Sequence, residues 1–178
     1  DIQERIRLID SKGYEHKAKL TILKEAARTL NYLTENNLLQ YADLEKKVED
    51  VHISYDRTGK ELKAVEARLR EVQPLIKNIS NYQRLKPVYD AFQKAKDKPS
   101  FKTKHEAELV IFEATRSTLL AMQGDEKLPS LKTLQAEQQR LLEEQQRLYD
   151  ERAKLKKEEK KIETIKSNVD TFLAPSAD

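Results

Sequence analysis

Basic and aromatic residues alternate between Arg84 and Lys104, a combination that is able to contact nucleic acid. Seven basic residues stand in this segment against only Asp90 and Asp97, a local excess of five positive charges. Lysine and arginine neutralise backbone phosphates, and binding of this kind needs no particular base sequence. The pattern therefore predicts a nucleic-acid contact with seven candidate residues: Arg84, Lys86, Lys94, Lys96, Lys98, Lys102 and Lys104.

The aromatic residues interleaved with these cations allow two interpretations. Exposed rings would offer faces on which unpaired bases stack. Rings that pack inward would instead leave a solvated, charged loop over a small apolar core. The residues concerned are Tyr82, Tyr89, Phe92 and Phe101.

The remaining chemistry-bearing residues do not form a catalytic or metal-binding pattern. His16, His52 and His105 lie on three separate segments without the close spacing of a local metal site. His52 is interpreted as a residue beside a helical seam. The carboxylate pairs Glu143-Glu144 and Glu158-Glu159 are predicted to be helix surface, where nothing would desolvate them. We expect no catalytic residue, no metal ligand and no cofactor.

The clearest signal for the elements that position these residues is a heptad seam between residues 44 and 79. Its positions alternate steps of four and three without a break, and ten of its eleven members are apolar. Such a seam predicts one helix of a coiled coil. Pro74 lies off the seam and is predicted to bend this helix without ending it. The members are Leu44, Val48, Val51, Tyr55, Thr58, Leu62, Val65, Leu69, Val72, Ile76 and Ile79.

A second seam repeats every seven residues from Leu134 to Val169, through Leu141, Leu148, Leu155 and Ile162. Its companion column is polar, so this helix is too weak to dimerise by itself but adequate opposite the first seam. We predict an antiparallel pair within one chain, with Ile79 near Leu134 and Leu44 near Val169. The companion column is Gln138, Gln145, Arg152, Glu159 and Lys166, and the residues predicted to broaden the apolar stripe are Leu131, Leu142, Tyr149, Ile165 and Phe172.

Shorter helices are predicted around these two seams: one in residues 1–10, one from Tyr14 to about Asn36, one from about Pro87 to Lys96 and one from about Thr103 to Met122. Residues 97–100 are predicted to be a break, and Ser130 the N-cap of the last helix. The fold class is therefore all-α: an elongated antiparallel coiled-coil hairpin with a small helical head at its tip and short helices packed at its base. The predicted divisions are basal helices 1–40, first coiled-coil helix 41–80, head 81–130, second coiled-coil helix 131–173 and disordered tail 174–178.

Composition restricts the class of protein further. Charged residues make up 37% of the 178 residues, hydrophobic residues 38%, and the net charge is only +3. The absence of cysteine excludes disulfides and thiolate sites, and it fits a reducing compartment. We therefore expect a cytoplasmic protein without membrane insertion, a monomer with a homodimer as the alternative. The Lys- and Glu-rich stretch 150–163 is predicted to be a self-paired solvent face.

Several collinear stretches resemble the C-terminal region of relaxase/mobilization nucleases from conjugative and mobilizable elements of Gram-positive bacteria. They are "GYEHKAKLTILKEAARTLNYLTENNLLQYADL", "NISNYQRLKPVYDAFQKA", "HEAELVIFEATRSTLLAM", "KLPSLKTLQAEQQRLLEE" and "IKSNVDTFL". The resemblance implies a parent protein that nicks one DNA strand at an origin of transfer. Its catalytic domain would carry a tyrosine nucleophile and a histidine-bound metal, neither of which maps onto this chain.

Two hypotheses follow for the chain itself. The first is a non-catalytic accessory module that contacts origin-of-transfer DNA, auxiliary relaxosome proteins or the coupling protein of the secretion channel. The second is a structural coiled-coil spacer or dimerisation module that binds no DNA. An enzyme acting by itself has almost no support from the residues.

Overall fold

The computed structural model describes residues 16–123 and 128–174, and this part of the chain is α-helical without a β-strand. The predicted all-α class is confirmed. The helix predicted in residues 1–10 and the tail residues 175–178 lie outside the described residues. The helices are α1 (His16–Glu35), α2 (Tyr41–Lys94), α3 (Lys98–Lys104), α4 (Glu106–Gln123) and α5 (Leu131–Leu173).

The chain divides into two compact units, each of which contains part of α2 and part of α5. Unit 1 combines the chain up to Lys60 with the chain from Tyr149 onward, and unit 2 is Glu61–Leu148. Unit 1 therefore holds α1, and unit 2 holds α3 and α4. The five-part division predicted from the sequence stays a prediction.

In unit 1, α2 and α5 pack antiparallel against α1. Leu44 at the start of α2 shares a hydrophobic core with Val169 near the end of α5, as predicted. The same core contains Leu33 of α1 and Leu38, which follows it. Leu33, Leu44 and Val169 are fully buried, so the first turn of α2 is fixed from two sides.

One face of α1 joins this core, and Leu33 belongs to it. Leu20 is 52% exposed, whereas Ala26, Thr29 and Leu33 are buried. Thr29 lies at the centre of the buried face, and its hydroxyl accepts a hydrogen bond from Asn168 Nδ2 at 3.1 Å.

The end of α1 was predicted correctly at Asn36-Asn37. Asn37 adopts a positive φ of 56°, a left-handed conformation that asparagine tolerates better than most residues. The N–H of Leu38 then donates to the carbonyl of Leu33 at 2.7 Å, and the N–H of Asn37 donates to Thr34 at 3.2 Å. These two bonds close a Schellman motif, which delivers Leu38 into the core beside Leu33.

The polar column of α5 is satisfied by polar and aromatic groups of α2. Arg152 Nη1 donates to the Tyr55 carbonyl at 2.6 Å, and the Arg152 guanidinium lies 4.0 Å from the centre of the Tyr55 ring. Gly59 makes this approach possible, since a Cβ there would overlap the guanidinium. Glycine inside a helix costs about 1 kcal/mol relative to alanine, so this close contact carries a local cost.

A second polar contact in unit 1 joins Lys166 of α5 to Tyr41 of α2. Lys166 Nζ donates to the Tyr41 hydroxyl at 3.0 Å and to Asp170 Oδ2 at 2.8 Å. The Tyr41 hydroxyl donates in turn to Asp170 Oδ1 at 2.5 Å. The hydrogen bond from Lys166, together with that from Tyr41, lowers the pKa of Asp170 below its ordinary value. The ammonium of Lys166 is thereby compensated within the helix pair.

In unit 2 the same two helices again run antiparallel. Ile79 and Leu134 share one hydrophobic core with Val72 and Leu119, which confirms the predicted proximity. Arg68 joins α2 to α5 at the surface of this core through two hydrogen bonds to one carboxylate. Its Nε lies 2.7 Å from Glu137 Oε1, and its Nη2 lies 3.1 Å from Glu137 Oε2.

The prediction of a separate helix beginning at Pro87 is wrong, because α2 continues through Pro74 and Pro87 to Lys94. Leu85 is 2% exposed, and the rings of Tyr82 and Tyr89 stack on Phe112 of α4 at 5.1 and 4.5 Å. This packing stabilises the helix on both sides of Pro87, which removes only one backbone donor. The predicted end of the first coiled-coil helix near residue 80 therefore does not correspond to a helix end.

The segment predicted to be a break at residues 97–100 instead begins α3. Asp97 caps this short helix, its Oδ1 accepting the Ser100 N–H at 3.1 Å, and Pro99 lies in the first turn. The predicted cap of α5 is confirmed, because Ser130 Oγ accepts the N–H of Thr133 at 3.1 Å. A short polar side chain at each start thus satisfies an otherwise unpaired backbone donor.

Every seam position is buried or half-buried, but two of the residues expected to broaden the α5 stripe are exposed. Leu148 is fully buried, whereas Leu142 is 41% and Tyr149 is 46% exposed. Each of the two exposed residues follows a seam position directly, which turns its side chain about 100° around the helix from the seam.

This difference gives a matched test of the pairing in unit 2. We expect Leu134→Ala to reduce the free energy of unfolding by about 2–5 kcal/mol, because Leu134 is fully buried in the core that it shares with Ile79 and its truncation opens a cavity there. Leu142→Ala removes the same atoms from a side chain that is 41% exposed, and we expect a loss of less than about 1 kcal/mol. Urea unfolding followed by circular dichroism measures both. Equal losses would contradict the seam.

The Arg68–Glu137 pair gives a pH-dependent test. Hydrogen bonding from Arg68 lowers the pKa of Glu137, so the pair contributes stability above the unfolded-state pKa of glutamate, about 4.3, and loses it as pH falls through the folded pKa. We expect Glu137→Gln to cost a few tenths to about 1 kcal/mol at pH 7. The difference from wild type should shrink toward pH 3. Exposed Glu113, replaced by Gln, is the control, and a difference that grows on acidification would contradict this account.

Candidate nucleic-acid interface

All seven basic residues predicted to contact nucleic acid are exposed in unit 2. Arg84 and Lys86 lie on α2, Lys94 is its last residue, and Lys96 lies in the link to α3. Lys98 begins α3, and Lys102 and Lys104 lie in its last turn. The last five of these residues thus lie at the end of α2, in the link that follows it and on α3.

Both acidic residues of the segment are already engaged by local groups. Asp90 Oδ2 accepts a hydrogen bond from Lys86 Nζ at 2.8 Å, and this contact raises the pKa of Lys86. Asp97 serves as the cap of α3. Each of the two carboxylates of the segment therefore has a local hydrogen-bond partner.

The five remaining lysines form a group that we call the lysine cluster: Lys94, Lys96, Lys98, Lys102 and Lys104. Within the described residues, none of the five ammonium groups lies within ion-pair distance of a carboxylate. Lys98 Nζ lies 5.9 Å from the centre of the Phe92 ring, a weak cation–π contact. Exposed ammonium groups of this kind are able to bind phosphate oxygens without first breaking an ion pair.

Aromatic packing fixes the helix that carries three of these lysines. The ring of Phe101 in α3 lies 6.1 Å from that of Phe92 in α2 and 4.5 Å from the imidazole of His105. His105 Nδ1 is held in turn by Glu108 Oε2 at 2.5 Å. The short helix α3 is thus anchored to the end of α2 and to the start of α4.

The aromatic rings of the segment pack inward, which was the second of the two interpretations. Tyr82 and Tyr89 both stack on Phe112, a residue that is 2% exposed. Phe92 and Phe101 are half-buried against each other. The lysine cluster therefore offers positive charge on a rigid support, with little ring surface available for stacking on bases.

The charged stretch of α5 was predicted to pair with itself, and this prediction is wrong for three of its acidic residues. Glu158 binds Lys47 of α2 at 2.7 Å, and Glu159 and Glu163 contact His52 of α2. The inward seam places the acids beside α2 and leaves lysines on the outer face of α5. Four of these lysines are exposed: Lys154, Lys156, Lys157 and Lys160.

Both members of the Glu143-Glu144 pair are engaged by neighbours on the same helix. Glu144 binds Arg147 with both of its oxygens, at 2.6 and 2.9 Å, which lowers the pKa of Glu144. Glu143 accepts a hydrogen bond from Gln139 at 2.8 Å. These contacts are the local i, i+3 and i, i+4 pairs of a helix surface.

One group of potential metal ligands is present that sequence reasoning missed. In unit 1 it consists of His52 of α2 with Glu159 and Glu163 of α5, and it is called the His52 cluster below. The spacing of the two glutamates was visible in the sequence, whereas their histidine lies more than 100 residues away. Only the register of the two helices brings the three side chains together.

No described helix has the length and apolar content needed to cross a membrane. The chain matches no family model, no curated protein and no solved structure.

Proposed function

We propose that this chain is a non-catalytic helical module of a DNA relaxase, acting in the cytoplasm during conjugative transfer. Its role in this proposal is to hold a DNA strand on the lysine cluster of unit 2. The observation that carries the DNA-binding part is the group of five exposed lysines whose neighbouring carboxylates are already engaged. The relaxase part is supported by the sequence resemblance described above.

Binding on this cluster would depend on phosphate charge. The logarithm of the affinity falls linearly with the logarithm of the salt concentration. Each neutralised phosphate adds about −0.7 to this slope for single strands and about −0.9 for duplex DNA. Because the rings of the segment are packed inward, we expect little discrimination among bases. The module would thus add affinity, while sequence selection would come from other parts of the transfer machinery.

A structural spacer or dimerisation module remains the second candidate function. It is favoured by the described side chains, among which no buried nitrogen or oxygen lacks a hydrogen-bond partner. A helix pair satisfied in this way needs no ligand to be stable. In that role the chain would set distances between other components, including relaxosome proteins or a coupling protein, without contacting DNA.

The test compares two variants that remove the same charge from different surfaces. One replaces Lys94, Lys96, Lys102 and Lys104 by Gln, and the other replaces Lys154, Lys156, Lys157 and Lys160 by Gln. Fluorescence anisotropy with labelled single-stranded and duplex DNA, between 50 and 200 mM salt, gives the affinity and its salt slope. Circular dichroism confirms that both variants keep the wild-type helix content.

We expect the lysine-cluster variant to lose at least about tenfold in affinity and to reduce the single-strand salt slope by about 3, from four lost phosphate contacts. The α5 variant should change the affinity less than threefold. Equal losses would show a general charge effect and contradict this site. Absence of binding by the wild-type protein would leave the spacer as the function.

A further inference from the structure

The His52 cluster in unit 1 has the geometry of a metal site. His52 Nε2 lies 3.0 Å from Glu163 Oε1 and 3.4 Å from Glu159 Oε1. One ligand atom from each of the three residues lies within 4.8 Å of the other two. Metal–ligand bonds of about 2.0–2.2 Å place neighbouring ligand atoms about 2.8–3.6 Å apart in octahedral or tetrahedral coordination. Small side-chain adjustments would therefore bring all three onto one ion.

The backbone that carries these ligands is held by packing. His52 follows Val51, which is 3% exposed, and Ile162, adjacent to Glu163, is fully buried. Glu159 and Glu163 are one helical turn apart and project from the same side of α5. A site built on two packed helices is better preorganised than one built on a loop.

The ligand set determines the class of ion. One imidazole nitrogen and two carboxylate oxygens suit borderline divalent metals such as Zn²⁺, Co²⁺ and Ni²⁺. The chain has no cysteine to compete for them. A divalent ion would also balance the two carboxylate charges, which a neutral imidazole does not.

The surroundings leave room for the remaining coordination positions. A surface cavity of about 590 Å³ adjoins the cluster, lined among others by His52, Glu163 and Lys166. Lys166 is the lysine that lines this cavity. Its ammonium is held by Asp170 and the Tyr41 hydroxyl. Water molecules are therefore able to complete the coordination from the open side.

We propose that the His52 cluster binds one divalent transition metal ion, with Zn²⁺ as the test ion, and thereby fastens α2 to α5 in unit 1. The protein supplies three ligands, and the remaining positions are open to water. The competing account is an ordinary ion pair between His52 and the two glutamates, without affinity for metal. This site is independent of DNA binding by the lysine cluster.

The experiment uses the untagged chain of 178 residues, because a polyhistidine tag would itself bind the ion. Thermal unfolding is followed by circular dichroism with EDTA and with Zn²⁺ at about a hundredfold excess over the dissociation constant from calorimetry. We expect Zn²⁺ to raise Tm by about 5–10 °C in the wild-type protein, and EDTA to reverse the shift. His52→Gln and Glu163→Gln should abolish it.

His105→Gln is the matched control, because it removes another histidine that contacts a glutamate, Glu108. This variant should retain the full Zn²⁺ shift and a calorimetric stoichiometry of one ion per chain. No Zn²⁺ binding by the wild-type protein, or the same shift in His52→Gln, would overturn the proposal. If the variants fail to fold, imidazole NMR of the wild-type protein decides: Zn²⁺ must perturb the His52 ring and leave that of His105 unchanged.

Discussion

The pairing of an apolar seam on α2 with a half-polar seam on α5 is the constraint on which both units depend. An apolar column alone would tolerate several registers, whereas a column containing Arg152, Glu159 and Lys166 is stable only where α2 supplies partners. In unit 1 those partners are Tyr55, His52 and Tyr41. Sliding one helix by a turn would separate each group from its partner and leave half-buried charge uncompensated, which is costly at a helix interface. Gly59 belongs to the same constraint, since it opens the space that Arg152 occupies.

The same pairing sorts charges between the two sides of α5. Glu158, Glu159 and Glu163 face α2 and are engaged there, whereas Lys154, Lys156, Lys157 and Lys160 are exposed. In unit 2, Asp90 and Asp97 likewise have local partners, Lys86 and the first turn of α3. The net charge of the chain is only +3, yet the chain presents local basic surfaces. These surfaces arise because carboxylates pair with groups within and between the helices. Charge segregation of this kind follows from helix packing, and it is what makes phosphate binding a reasonable function for the module.

The sequence predicted the features that repeat along the chain and missed those that depend on single contacts. Both seams, their antiparallel order and the caps at Asn37 and Ser130 follow from periodicity and residue type. The continuation of α2 through Pro87 was missed, because the packing of Tyr82 and Tyr89 on Phe112 is not visible in a local pattern. The buried Thr29 and the His52 cluster were missed for the same reason. Each depends on a contact with a residue more than 100 positions away in the sequence.

Crosslinking tests the pairing of α2 with α5 most directly. Because the chain has no native cysteine, only the introduced thiols react. Two double-cysteine variants place thiols at Lys47 with Glu158 and at Arg68 with Glu137, two pairs that are in contact. The swapped combinations, Lys47 with Glu137 and Arg68 with Glu158, use the same four sites but offset the helices by 21 residues, about 31 Å. With a short thiol-to-thiol reagent, the account predicts rapid crosslinking within one molecule for the first two variants and little for the swapped ones. Efficient crosslinking of the swapped pairs, or crosslinking only between molecules, would contradict it.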